Sequence, residues 1–420
     1  MTDLAYGIDF GTTNSAVARV HGGRPMVIPM DAGSSGMLRS VMFFPVGSLD
    51  VFFGDEAISR YLEMDMRGRF LQSVKTVLAA DFGTTKIRGQ DYDVEDLVEL
   101  ILTELKSRAD RAVGADVTRV VLGCPVKFSD DRRKDATARK RLIAAAELAG
   151  FTDIRLQLEP VAAALSYELT LNREELVLVT DLGGGTTDFT LMALGPKRLA
   201  QADRRTDVIA TGGIPIAGDA LDKDLMWGKI IQHFGYGVRY ETWPGKWMPI
   251  PANLLVDLSL KGRFLHLYNQ ANIEMLEMIR DNADNPVPIC RLLNLIQENL
   301  GYSLHKTVEA VKCELTAADS TRLIFNKLDL PLNIPITRAE FNALINPSVD
   351  KISKCVDALL KDAAIKPDNI DAVYMTGGTS LVPRLRQLFG QKFGGEKIRH
   401  SASTFLSVVE GLALSTRLNF

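Results

Sequence analysis

The chain predicts an α/β fold built from two similar halves, with a helical segment set into the second half. Three observations carry that reading. Apolar, β-branched runs alternate with amphipathic helical runs through most of the sequence. One strand, glycine turn, strand pattern occurs twice, close to half a chain apart. And 420 residues exceed the roughly 250–300 at which a single hydrophobic core stops growing, so two lobes are expected.

In chain order, residues 4–10 form a short apolar strand, and 15–20 a second strand after a Gly-Thr-Thr turn. Leu97, Leu100, Ile101, Leu105 and Ala109 recur at helical spacing and predict a helix over 96–112. Residues 117–122 are a β-branched strand running into Gly123-Cys124-Pro125, and 132–150 a helix closed by Gly150. Buried strands are expected at 176–181, 189–192 and 371–376, and a helix at 382–389. The stretch 227–302 differs: it holds all three Trp, several prolines and helical runs near 254–279 and 288–300, and reads as a helical insertion.

Composition narrows the function. Apolar residues make up 46% and charged residues 24%, an ordinary globular balance. A net charge of −3 offers no electrostatic reason for a nucleic-acid or membrane-surface partner. Four cysteines without C-x-x-C spacing, and only five His, argue against a zinc site or a disulfide framework. Free thiols suit a reducing compartment. The first residues lack a basic and then apolar leader, and no apolar stretch reaches the ~18–20 residues of a membrane helix, so a cytoplasmic protein is expected.

The repeated turn carries the chemistry. Asp9-Phe10-Gly11-Thr12-Thr13 follows the first strand, and Asp181-Leu182-Gly183-Gly184-Gly185-Thr186-Thr187-Asp188 follows the strand at 176–181. Glycine lets backbone N–H groups approach a ligand and reaches positive φ, so such turns suit phosphate. An Asp beside each turn cannot contact phosphate directly, but it can hold Mg²⁺ or its waters, and two Asp from opposed turns can share one ion. This is phosphoryl-transfer logic without a Walker lysine loop, and neither turn is a dinucleotide fingerprint. A third turn, Gly377-Gly378-Thr379-Ser380, opens the helix at 382–389 and suits the nucleoside end of the same ligand.

Together these turns resemble the actin-like (ribonuclease-H-like) ATPase superfamily, specifically the nucleotide-binding domain of the heat-shock protein 70 (DnaK-type) chaperones. Residues 6–14 look like that family's first phosphate loop, 181–188 its second, and 377–380 its adenosine turn. Gly123-Cys124-Pro125-Val126-Lys127-Phe128 and Leu158-Glu159-Pro160-Val161-Ala162-Ala163-Ala164 look like its Val-Pro-Ala-Tyr-Phe and Asn-Glu-Pro-Thr-Ala-Ala-Ala segments. The resemblance implies a duplicated two-lobed fold: lobe I over 1–175 with a C-terminal helix at 402–420 packing back, and lobe II over 176–401 including the 227–302 insertion.

It also implies roles. Asp9, Asp181 and Asp188 hold or orient the Mg²⁺ shell; Lys75, Glu159, Asp181 and Thr186 form the catalytic set; Pro125 is the interlobe switch. Gly11, Thr12, Thr13, Asn14, Gly183, Gly184, Gly185, Thr187, Gly218, Gly377, Gly378 and Thr379 line the nucleotide, and Glu309 and Lys312 contact the ribose. The base-binding end departs from the family: Cys313 and Leu381 stand where it has two adenine-clamping arginines, and Phe405 where it has an Asp. ATP/ADP and Mg²⁺ are the expected cofactors, and an unknown protein partner or client the expected recipient.

The chain ends shortly after Gly411, with no peptide-binding domain expected, which resembles the short YegD-like branch of chaperones. The leading reading is a slowly hydrolysing chaperone-like ATPase in which Mg-ATP drives lobe closure and partner signalling. A pseudo-ATPase scaffold, a small-molecule kinase on the same fold and an actin-type filament former are the alternatives.

Overall fold

The computed structural model describes residues 4–30, 36–64, 67–80, 84–201, 203–261, 263–401 and 406–418. Phe405 lies outside the described residues. The chain forms two compact units. One comprises Met1–Gly218, Lys351–Leu381 and Leu385–Phe420, the other Asp219–Asp350 and Val382–Arg384.

Two mixed sheets build the first unit. One runs Asp153–Leu158, Arg119–Cys124, Tyr6–Phe10, Asn14–His21, Arg24–Ile28, with Met37–Arg39 also paired to Asn14–His21. The other runs Ile398–His400, Ala372–Thr376, Glu175–Leu182, Thr187–Leu194, Val208–Ile214. Each is a three-strand antiparallel meander whose first strand has a parallel neighbour on its other side. The strand order is the same in both, so the duplicated turn is a duplicated sheet. The alternation and the echo predict this duplicated α/β architecture, and the family resemblance implies its actin-like form.

Two helices complete this core. Glu159–Glu168 is buried on nearly every side, which its Val-Ala-Ala-Ala-Leu run permits. It shares one apolar cluster with Val121, Val177, Val179, Met192, Tyr374 and Leu412. Ser407–Ser415 lies against it so closely that a Cβ at Gly411 would stand 1.7 Å from the Ala162 carbonyl oxygen. Only glycine fits that crossing.

The second unit holds the insertion, which is less helical than its pattern suggests. Arg239–Trp243 and Lys246–Pro249 form a hairpin around Pro244 and Gly245, the latter at φ +80°. A Pro-Gly pair between two short aromatic runs is a turn signal that the helical reading passed over. The expected run at 254–279 is two helices, Ala252–Ser259 and Gln270–Asp281. Leu260 leaves the first in extended geometry, and Asn269 caps the second, its side chain accepting the Asn272 N–H at 2.9 Å. Trp227 donates its indole N–H to Ser259 Oγ at 2.9 Å, whereas Trp243 on the hairpin is 73% exposed. No described helix is long and apolar enough to cross a membrane.

Gly411→Ala should destabilise the protein by about 1–3 kcal/mol or more, since backbone rather than a flexible side chain blocks the methyl group. Urea unfolding should show a lower midpoint at unchanged slope. Gly395→Ala, where a Cβ meets nothing within 4 Å, should stay within about 0.5 kcal/mol of the parent.

Candidate functional site

Strand register assembles the site's charges. Asp181 and Asp188 are direct cross-strand partners in the hairpin of Glu175–Leu182 and Thr187–Leu194, so both carboxylates leave the same face. Like charges set opposite one another are unfavourable, and the turn between them holds the arrangement. Asp9 comes from the equivalent position of the other sheet, on Tyr6–Phe10.

An ion pair lies among them. Lys75 Nζ donates to Glu159 Oε1 at 2.5 Å, with both side chains buried. Glu159 opens its helix, where the dipole favours a carboxylate. Lys75 sits in the 3₁₀ helix Val74–Ala79, entered through Ser73 at φ +56°. A non-glycine residue in that region is backbone strain of the kind that gathers at functional sites. Read alone, a lysine on a helix is a solvated charge; this one is enclosed.

Four carboxylates therefore face one ammonium in a dry setting, and the proton affinities of the three aspartates show it. Burial first, then Glu159, raises Asp9, with Lys75 opposing. Burial, then Glu159, Asp188 and Asp9, pushes Asp181 well above the usual carboxylate value. Asp188 rises from 3.8 to about 7, chiefly through burial and then Glu159, against hydrogen bonds from the Thr186 side chain and the Val126 N–H. The Val126 bond is 2.7 Å to Oδ1, while Asp188 Oδ2 is buried without a hydrogen-bond partner. Burial pulls the Lys75 value down, but Glu159 and Asp9 outweigh it, so its ammonium form is favoured.

The glycine turns close around these groups by a means that differs from the expectation. Of the turn glycines only Gly377, at φ +79°, uses the left-handed region. A Cβ there would also meet the Leu182 carbonyl oxygen at 2.3 Å. At Gly185 the requirement is space: a Cβ would lie 3.1 Å from Thr12 Oγ1 of the first turn, closer than a side chain there sits comfortably. Several expected ligand-facing groups are tied within the unit. Thr379 donates its hydroxyl to the Gly183 carbonyl at 2.7 Å, Thr187 donates its hydroxyl to the Ile216 carbonyl at 2.6 Å, and Gly218 donates its N–H to the Gly183 carbonyl at 3.2 Å. These bonds brace the second turn. Asn14 starts its strand and Thr13 accepts the Ser40 N–H.

Asp9, Lys75, Glu159, Asp181, Asp188 and all three turns thus belong to the first unit. Glu309 and Lys312 belong to the second. There Lys312 pairs with the buried Asp222 at 2.9 Å, and Lys261, from the insertion, pairs with Asp222 and Asp219 at 2.8 Å each. Lys306 pairs with Glu309 at 3.0 Å. Sequence reasoning did not single out Lys261, Asp219 or Asp222; no motif marks them.

The donor set fits a hard divalent cation. Among the described residues no group of three or more His, Cys, Asp or Glu side chains stands ready to hold a metal by itself. Mg²⁺ does not need one, because it keeps waters and takes one or two carboxylates with the phosphates of its ligand. Crowded carboxylates with raised proton affinity, and an orphaned Asp188 oxygen, are what an added positive charge relieves.

The family model for Hsp70 protein matches residues 72–213 and 296–415. A chaperone protein DnaK of Thermosipho melanesiensis is 28% identical over 397 residues, covering 94% of this chain and 56% of that relative. One from Thermus thermophilus is 28% identical over 416 residues, covering 94% and 58%. The chain spans a little over half the length of these curated relatives.

Asp188 offers a test by pH. Its folded value exceeds its unfolded one, so the stability it contributes is complete below 3.8 and is lost as pH rises to about 7. Asp188→Asn removes the charge and keeps an acceptor for the Val126 N–H. With a chelator and no nucleotide, the variant should melt higher than the parent at about pH 8, by on the order of 1.4 kcal/mol for each pKa unit displaced. The difference should close towards about pH 4; a pH-independent difference would show that the crowding has another origin.

Proposed function

The chain belongs to the Hsp70 protein family, and on that premise we propose that it is a chaperone-type ATPase that binds Mg-ATP and hydrolyses it slowly. The observation that carries this reading is the buried Lys75–Glu159 pair ringed by Asp9, Asp181 and Asp188. In this reading the glycine turns offer N–H donors to the phosphates. Asp9, Asp181 and Asp188 would hold or orient the Mg²⁺ shell. The bound ion supplies neutralisation of β- and γ-phosphate charge.

The chain's own residues do the rest. Glu159 keeps the Lys75 ammonium fixed, so its charge is aimed before any phosphoryl group arrives. Preorganised charge of this kind needs no reorganisation as negative charge develops on the transferring group. Glu159 and the free oxygen of Asp188 are the acceptors available to orient an attacking water. Thr186, through its hydrogen bond to Asp188, steadies that carboxylate. Nucleotide-driven lobe closure that signals to a protein partner or client completes the proposal.

Recognition of the base is the part rebuilt. With Cys313 and Leu381 in place of stacking arginines, adenine should be held weakly and ATP poorly distinguished from GTP. Two such stacks are worth roughly 10- to 1,000-fold in affinity.

Single-turnover hydrolysis tests the mechanism. Lys75→Ala and Asp181→Ala should each slow it by about 100- to 1,000-fold, the usual cost of one charge-stabilising group. A Lys75→Ala protein that hydrolyses at the parental rate overturns the proposal. Calorimetric titration tests the base site. Cys313→Arg with Leu381→Arg should tighten ATP at least about tenfold; nanomolar ATP binding by the parent would show that other contacts already hold the base.

A further inference from the structure

Far from the aspartates, the first unit buries a second ionic cluster. Arg204 is 0% exposed. Its guanidinium forks onto Glu168, Nη1 to Oε2 and Nη2 to Oε1, each at 2.9 Å, and its Nε donates to buried Asp207. Arg198 shares Asp207 from the partly exposed side and pairs with Glu174 at 3.3 Å. Glu168 Oε1 also accepts the Gly195 N–H at 2.9 Å. A carboxylate at a helix C-terminus opposes the dipole, so Glu168 depends on these partners. Buried ion clusters add little net stability over apolar packing, but each bond in one is directional.

The placement of Glu168 and Gly195 gives the cluster its meaning. Glu168 is the last residue of the helix that Glu159 begins. Gly195 follows the strand Thr187–Leu194, whose second residue is Asp188. Helix and strand pack together through Val161, Leu165, Met192 and Leu194. Glu159 and Asp188 interact electrostatically at their starts, so both elements run from the aspartate site to the cluster.

We propose that Arg204 and Glu168 are positioning residues: they lock the far ends of this helix and strand and so set the separation of Glu159 and Asp188 at the near ends. The inference rests on the ATPase reading given above. Arg204 touches no reacting group and acts only through the two elements it joins.

Glu168→Gln combined with Arg204→Met tests it. The pair keeps the packing volume, and Arg198 still neutralises Asp207. The folded variant should bind Mg-ATP with parental affinity and hydrolyse it at least about tenfold more slowly in single turnover. Parental hydrolysis overturns the inference, as does an equal loss of affinity and rate, which would make the cluster a general support of the fold. If the parent itself does not hydrolyse ATP, the ATPase reading fails, and amide exchange of the nucleotide-free protein decides the positioning role. Loss of protection should then reach the residues around 159 and 188; loss confined to the surroundings of 168, 195 and 204 overturns it.

Discussion

One electrostatic imbalance organises this protein. Asp9, Glu159, Asp181 and Asp188 are held around the single ammonium of Lys75, largely out of water. Nothing in folding favours that arrangement. Cross-strand register forces Asp181 against Asp188, and a strained Ser73 precedes the lysine. The surrounding structure sustains the imbalance: a helix buried on nearly every side, a glycine-only crossing at Gly411, and hydroxyls that brace the second turn from Thr187 and Thr379. A cation and phosphates are the chemical complement of such a site.

Duplication explains how the imbalance is built. Two sheets of the same strand order each end their first strand in an aspartate and a glycine turn. Thr12 Oγ1 stands 3.1 Å from where a Cβ at Gly185 would lie, and neither turn uses positive φ. The third turn does need it, at Gly377, and Thr379 hydrogen-bonds it back to the second. The second and third turns are thus joined directly, and the first approaches the second at Thr12.

The family model passes over residues 214–295, most of which lie in the second unit. Its insertion contributes Lys261 to an ion network with Asp219 and Asp222, the same Asp222 that pairs with Lys312. The turns at 9–13 and 181–188 resemble the family pattern, whereas Cys313 and Leu381 depart from it. That division matches the physics: phosphate chemistry constrains charge at fixed distances, whereas a base can be held by many combinations of stacking and hydrogen bonds.

By itself the sequence determined the fold class, the duplicated turns and the aspartates beside them, because periodicity and glycine spacing are local and survive without coordinates. It also located Lys75 and Glu159, through the resemblance to a family. Tertiary structure alone decided the rest. Arg204 stands between Asp203 and Arg205, both solvent-exposed, and no local pattern tells which of the three is buried. The helical runs near 254–279 and 288–300 gave the whole insertion a helical reading, and the hairpin at Arg239–Trp243 and Lys246–Pro249 lies outside them. Lys75 reads as a surface charge until Glu159, 84 positions later, meets it. Burial and ion pairing are properties of contacts between distant segments, and the field that makes these carboxylates a site exists only once the chain has brought them together.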